Sequence, residues 1–273
     1  MSAGAGGRLV VCPTPIGNLE DITLRVLRAL READVIACED TRHTRKLLAR
    51  HGIEARLVSY HEHNERQRAR ELVKRIAAGE VVALVSDAGA PVVSDPGHEL
   101  VRGCVDAGLP VEVLPGPTAV VTALIASALP ADRWRFVGFL PRRNQELRRT
   151  LETQGEETLV AFESPKRLAA TLALLAEIDP ERPAAVCREL TKLHEEVARG
   201  SAAELARRFA EGARGEIVLV VGPAAERAAG EAELAAGRDA VERLVAAGAK
   251  RRAAAAVVGG LTGISANRLY RAK

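Results

Sequence analysis

The sequence predicts an α/β protein built from two sheet-bearing domains, followed by a small helical region. Three observations carry that expectation. Short apolar, β-branched runs alternate with helix-period segments five times before residue 130, the pattern of a mainly parallel sheet. From residue 131 strand-like runs more often follow one another, which points to a smaller mixed sheet. Glycine- and proline-rich loops leave the carboxyl ends of the early strands, the edge at which open parallel sheets bind ligands.

In chain order, the first strand is Arg8–Cys12, running into Thr14-Pro15-Ile16-Gly17-Asn18-Leu19. A helix with Ile22, Leu24, Val26, Leu27 and Leu30 on one face follows, with Asp21 as its cap. Val35–Cys38 is the second strand and ends at Glu39-Asp40-Thr41-Arg42-His43; a basic helix with Arg45, Lys46 and Arg50 comes next. Leu57–Tyr60 is the third, ending at His61-Glu62-His63-Asn64-Glu65 before another basic helix. Val81–Val85 reads as a strand buried on both faces and stops at Ser86-Asp87-Ala88-Gly89-Ala90-Pro91, with a second turn at Ser94-Asp95-Pro96-Gly97. A helix over about 97–107, a strand at Val111–Leu114 and the turn Pro115-Gly116-Pro117-Thr118 complete this unit. Asp87 offers a carboxylate to an amine or hydroxyl; as turn residues alone, Asp87 and Asp95 would simply cap the loops.

The expected first domain covers 8–130 and the second 131–222. The second opens with Arg133–Phe136 and a loop through Arg142-Arg143. It continues with strand Thr158–Phe162, helix Lys166–Ala176, strands Ala184–Arg188 and Leu193–Arg199, helix Ala203–Glu211 and strand Glu216–Val221. Residues 223–237, rich in Ala, Glu and Gly, read as a linker, and 238–273 as three short helices in helix-turn-helix-like spacing.

The 273 residues are 47% hydrophobic and 27% charged, enough for real cores in a soluble chain. Aromatics are only 3%, so the cores must be built from Ala, Leu and Val. No apolar run approaches a membrane span and the start lacks a signal peptide's apolar core, so the expected location is cytoplasmic. Cys12, Cys38, Cys104 and Cys187 are scattered, without a C-x-x-C pair, and read as small buried hydrophobes. The net charge of +3 hides a pattern: 41–75 carries +6, 131–150 carries +4 and 236–273 carries +6, separated by acidic stretches. Such blocks are either solvated helix faces or pieces of one phosphate-binding surface. There is no P-loop, no G-x-S-x-G elbow and no metal motif, since His61 and His63 are two apart and do not share a helix face.

Six loops occur in order: Thr14–Leu19, Cys38–Arg42, Ser86–Gly89 with Pro91, Ser94–Gly97, Pro115–Pro117 and Glu163-Ser164-Pro165. Through them, over about residues 8–222, the chain resembles the tetrapyrrole-methylase superfamily and, within it, the bacterial small-subunit rRNA cytidine 2′-O-methyltransferases. The basic tail resembles that subfamily's C-terminal extension. The resemblance implies two α/β domains with S-adenosylmethionine in the cleft between them, usually in a homodimer. The implied substrate is 16S ribosomal RNA, naked or within an assembled subunit. The resemblance places Pro15, Asp87, Ala88, Gly89, Val92, Val93, Thr118, Ala119, Phe162 and Pro223 around the cofactor. Two positions depart from the pattern. Ala90 stands where the subfamily has Thr, and the first loop lacks the G-x-G-P-G-D form of the tetrapyrrole enzymes, which argues against a porphyrin-like substrate.

Methyl transfer from a sulfonium needs alignment above all, and a ribose hydroxyl needs a nearby base or cation. The candidates on the strand-end loops are Glu39, Asp40, Arg42, His61, His63, Glu163, Lys166 and Arg167, with Arg42 and Lys166 suited to gripping RNA phosphates. Two rivals follow from the same residues. One is a small-molecule, tetrapyrrole-type methylase, which the basic blocks disfavour. The other is a non-catalytic nucleic-acid-binding regulator with the α/β body as ligand sensor.

Overall fold

The computed structural model describes residues 6–224, 231–264 and 266–270. Residues 225–230 of the expected linker, Ser265, and the end of the last expected helix lie outside the described residues.

The first sheet is made by β1 (Arg8–Val11), β2 (Val35–Cys38), β3 (Leu57–Ser59), β4 (Val81–Leu84) and β5 (Val111–Val113), all parallel, in the order β3-β2-β4-β1-β5. Between them run α1 (Leu24–Glu32), α2 (Thr41–Arg50), α3 (Glu65–Ala77) and α4 (His98–Asp106). Successive strand residues point to opposite faces. Val10, Ile36 and Ala83 pack with Val26 and Leu30 of α1 and Leu47 and Leu48 of α2. Leu9, Val35, Val82 and Leu84 pack with Leu72 and Ile76 of α3 and Leu100 of α4. Both faces are covered, so the strands read as continuous apolar runs, and each fully buried Leu contributes roughly 1.5–3 kcal/mol. Neighbouring strands β1 and β4 send their following helices to opposite faces. Their loops diverge there, which is the switch point where such sheets open a ligand crevice.

The cap of α1 corrects the expectation. Leu19–Asp21 form one 3₁₀ turn capped by Asn18, and Thr23 caps α1, its hydroxyl accepting from the Val26 N–H at 3.1 Å.

After β5, α5 (Ala119–Ser127) crosses to the second sheet. That sheet contains β6 (Trp134–Phe139), β7 (Thr158–Glu163), β8 (Pro183–Arg188), β9 (Glu196–Ser201) and β10 (Ile217–Val221), ordered β6-β7-β10-β8-β9. Only β6 and β7 are parallel, so the sheet is mixed, as its strand-after-strand pattern predicts. One face carries α5; the other carries α6 (Asn144–Glu152), α7 (Leu168–Ile178) and α8 (Ala202–Arg208). Helix α6 is an addition to the expected elements. It buries only Leu147 and Leu151 in an arginine-dense stretch, which leaves little periodic signal.

At the C-terminal end α9 (Glu231–Ala246), α10 (Arg251–Thr262) and α11 (Ala266–Tyr270) pack around Val241, Val258, Ile264 and Leu269. Helix α9 starts inside the stretch expected as linker, because Ala and Glu are strong helix formers as well as common linker residues. No helix among the described residues is long and apolar enough to cross a membrane.

Candidate functional site

At the switch point the loops after β1 and β4 are zipped together. The Thr14 and Gly89 backbones exchange hydrogen bonds (2.8 and 3.0 Å), and the Thr14 hydroxyl donates to the Ser86 carbonyl at 3.0 Å. Ser86 in turn donates to the Gly89 carbonyl at 3.1 Å. Asp87 points toward β2, where its Oδ1 accepts from the Asp40 N–H at 3.0 Å, so it ties two strand ends together. The next turn is clamped from α3. Glu65 Oε1 accepts from the N–H groups of Gly97 (2.9 Å) and Glu99 (3.2 Å) at the start of α4, and from the Tyr60 hydroxyl (3.1 Å).

The second sheet closes over this edge. The Asn18 N–H donates to the Thr191 hydroxyl at 3.0 Å, and Gly17 lies so close to this segment that an added Cβ would sit 2.5 Å from the Lys192 side chain. Val92 and Ser94 (φ 75° and 65°) flank Val93, and Glu189 and Thr191 (φ 51° and 67°) flank Leu190. These non-glycine left-handed residues flank Val93 and Leu190, which line the cavity between the two sheets from opposite sides, and such strain gathers where a site over-determines the backbone.

Between the two sheets lies a cavity of about 410 Å³, the size of a small-ligand site. Ile16, Ala88, Gly89, Val93, Thr118 and Ala119 line it from the first sheet's loops, and Leu190 and Gly215–Val218 from the second sheet. Phe139 and Phe162 line it too. Their ring centroids are 5.4 Å apart, and Phe136 lies 5.1 Å from Phe162, so three of the chain's four phenylalanines gather here.

The charged groups sort by wall. On the first-sheet side Asp95 lines the cavity, and burial, followed by the charges of Glu39 and Asp87, pushes its carboxyl up to about 6. Glu39 is likewise raised, by burial first and then by Asp87, with His61 opposing. On the second-sheet side Glu163, only 2% exposed, is fully engaged: Oε1 accepts from the Ser164 N–H (2.6 Å), and Oε2 from the Thr171 hydroxyl (2.6 Å) with Arg167 at 3.4 Å.

Of the residues expected around a cofactor, Ala88, Gly89, Val93, Thr118, Ala119 and Phe162 line the cavity. Four do not. Pro15 is buried behind Ile16, and Asp87 is turned to Asp40. Val92 packs toward Gly97, where an added Cβ would meet its Cγ2 at 2.8 Å. Pro223 follows Val221, the end of β10 away from the cavity-lining Ile217 and Val218. Of the expected reactive groups only Glu163 borders the cavity. Asp40 caps α2, and the exposed Arg42 guanidinium beside it holds its carboxyl well below the usual range. His61 shares a contact with Asn64 at 3.2 Å, while His63 and Lys166 are exposed.

The sequence profile of the Tetrapyrrole (Corrin/Porphyrin) Methylases matches residues 8–206. The chain belongs to the tetrapyrrole methylase family. It is similar to proteins named Ribosomal RNA small subunit methyltransferase I. It is 51% identical over 168 residues to the one from Halalkalibacterium halodurans (61% of this chain, 58% of that protein). It is 46% identical over 174 residues to the one from Thermotoga maritima (63% and 78%). The chain thus matches less than two thirds of the length of the first of these relatives. Among solved structures, uroporphyrin-III-C-methyltransferase from Thermus thermophilus superposes with a TM-score of 0.54 at 28% identity, covering 79% of this chain and 94% of that one.

Within this tetrapyrrole methylase, the cavity-lining carboxylate that the sequence reading left as a turn residue is Asp95. Its signal was the second Ser-Asp, eight residues after Ser86-Asp87. Its neighbours Glu39 and Asp87 are brought to it by the sheet, which no spacing reveals.

Proposed function

We propose that this protein transfers the methyl group of S-adenosylmethionine to the ribose 2′-oxygen of a cytidine in small-subunit (16S) ribosomal RNA. The observation that carries the reading is the aromatic-walled cavity at the switch point, with one half-buried carboxylate on its rim, in a chain whose relatives are named for that RNA. The residues present fit the methyl donor: an apolar wall with Phe139 and Phe162 suits a flat heteroaromatic ring, and a carboxylate suits a cationic centre. When bound, the donor supplies an electrophilic methyl group. The protein's part is alignment and exclusion of water. Ala88 and Gly89, fixed by the Thr14 bridge, and Thr118 and Ala119 at the start of α5 form one side, and the phenylalanines the other. Asp87 acts indirectly, by holding the β2 end beside the loop.

RNA would approach across the exposed basic segments. Arg42 stands exposed in the first turn of α2 and Lys166 on the loop after β7, and Arg142 and Arg143 precede α6. The α9–α11 unit adds a basic tail as an RNA handle, and a homodimer in the cytoplasm is the assembly this reading expects. The test is calorimetric titration of S-adenosylmethionine, followed by mass spectrometry of rRNA nucleosides from cells with and without the protein. Loss of a ribose-methylated cytidine supports the reading. An unchanged nucleoside profile, together with transfer to a uroporphyrin-type substrate, would favour the second reading suggested by the Thermus structure.

A further inference from the structure

We propose that Glu39 and His61 read the target base, the Glu39 carboxylate accepting from the cytosine N4 amine and the His61 Nδ1–H donating to the adjacent N3. The inference rests on the rRNA methyltransferase reading and names the groups that select its nucleotide. Both residues belong to strand-end motifs outside the cavity wall, Glu39-Asp40 after β2 and His61-Glu62-His63 after β3. The carboxylates at this edge are not alike. Asp40 caps α2 and pairs with Arg42, and Asp87 accepts from the Asp40 N–H. Glu39 is half-buried, and among the described residues its carboxylate accepts no hydrogen bond and enters no ion pair. It is faced by Asp87, His61, Asp40 and Glu62, and its own charge acts on Asp95 at the cavity wall. Glu39 thus links the cavity to His61.

The hydrogen bonds around His61 decide which ring nitrogen carries its proton. Asn64 Oδ1 accepts from the His61 N–H at 2.9 Å, and Asn64 Nδ2 donates to the Ser59 carbonyl at 3.2 Å. Two backbone partners therefore fix which end of the amide is which. Nδ2 can only donate, and it also lies 3.2 Å from His61 Nε2. Nε2 is thus the acceptor, and in the neutral ring Nδ1 holds the hydrogen. That Nδ1 is buried and meets no hydrogen-bond partner. A buried donor without an acceptor is a cost that a ligand's acceptor removes.

Acids crowd this edge, so a phosphate is repelled here and drawn to the basic segments instead. What suits the edge is a neutral group that brings donors, such as an exocyclic amine. Cytosine carries an amine donor next to a ring-nitrogen acceptor on its Watson–Crick edge, the complement of an unspent carboxylate neighbouring an unspent N–H. Uracil reverses both groups. Its O4 would face the carboxylate and its N3–H the Nδ1–H, so the same pair that accepts cytosine rejects uracil. Reading that edge requires an unpaired base, turned out of its strand toward the loops after β2 and β3.

The test uses the full chain and small subunits reconstituted with cytidine or uridine at the modified position. Single-turnover rates on the two RNAs are compared within each variant at saturating S-adenosylmethionine, so any change in donor affinity cancels from the ratio. The parent should prefer cytidine by about 5–150-fold, the worth of one well-made pair of base contacts. Glu39→Gln offers an N–H as well as a carbonyl, so its preference should fall to within about threefold. His61→Phe keeps a ring without the donor and should lose about five- to tenfold of the preference; His61→Asn, which returns an N–H near Nδ1, should recover part of it. Where a variant transfers too slowly to either RNA, the same ratio is read from the two dissociation constants. Nitrogen NMR of the parent at alkaline pH, assigned by the signal lost in His61→Phe, should place the ring proton on Nδ1. A proton on Nε2, or variants that keep the parent's ratio, overturns the assignment while leaving the methyltransferase reading intact. A parent that methylates neither RNA overturns both.

Discussion

Glu163 on the second-sheet wall and Asp95 on the first-sheet wall face the same cavity, yet their surroundings are opposites. Glu163 is enclosed and surrounded by donors: a backbone N–H, a hydroxyl and a guanidinium. Asp95 is half-buried and faced by other acids. One carboxylate is therefore tied by its donors and fixes the β7–α7 corner. The other is kept in an unfavourable state that folding alone does not require. The second sheet lends the cavity its aromatic wall, and the first its half-buried carboxyl. That division follows from topology. Parallel strands around a switch point direct several loops, and their polar residues, into one crevice. In the mixed sheet, β7 and β10 run antiparallel, so only one end of each reaches the cavity.

The contrast is broken most forcefully at Glu163. Glu163→Ala removes the acceptor for three donors in a buried corner and should cost about 3 kcal/mol of stability, read by urea unfolding at pH 7.5. Glu163→Gln keeps one acceptor oxygen and should cost less. If Glu163→Ala unfolds at the parent's denaturant midpoint, the corner is not held by this carboxylate.

Asp95→Asn should move stability the other way. The folded-state value of about 6 lies above the ordinary aspartate value of 3.8, so the folded protein binds the extra proton. That group's contribution is fully present below about 4 and lost as pH rises through 6. The variant carries no charge to penalise. It should match the parent near pH 4 and exceed it by about 2 kcal/mol at pH 7.5, a discounted figure for a half-buried group. Parallel stability curves for the two proteins from pH 4 to 8 would remove the strain assigned to Asp95.

Asp87→Ala should have a smaller effect on folding, about 1 kcal/mol for the lost bond to the Asp40 N–H. S-adenosylmethionine affinity should still weaken, because Ala88 and Gly89 lose the tie that positions their loop. An unchanged calorimetric affinity in the folded variant would show that the Thr14–Gly89 bridge suffices.

How much of this was legible beforehand depended on whether the signal was local. Most strands were, since they are compact apolar runs bounded by turn residues; β9 (Glu196–Ser201) is not such a run, and it begins three residues after the expected Leu193, which is 93% exposed. The crossing of α5 to the second sheet was not, because Val120, Ala123 and Leu124 would suit either sheet equally well. The loops of the site could be read from their glycines and prolines. The direction of Asp87 and the burial of Asp95 could not, since both depend on Glu39 and Asp40, more than forty residues away. Pro223 was misplaced because its neighbourhood is set by the length of β10, not by its own residue type.

The weakest expected effect concerns the rim, where the basic blocks lie. Much of their charge is spent locally: Arg143 reaches Glu146 at 3.2 Å, Arg68 reaches Glu71 at 2.7 Å, and Arg148 sits between Glu152 and Glu177. Arg142 has no ion-pair partner among the described residues and is exposed. If about five phosphates are neutralised on binding RNA, the slope of log affinity against log salt should be roughly −3.5. Removing Arg142 and Arg143 together should flatten it by about one unit, with Arg142 contributing more because Arg143 must first leave Glu146. Affinity for S-adenosylmethionine should barely change with salt, since its proposed pocket is mostly apolar. Equal slopes for the parent and the double variant would mean that these arginines only solvate α6, and that the RNA is gripped elsewhere, with the α9–α11 tail the next segment to remove.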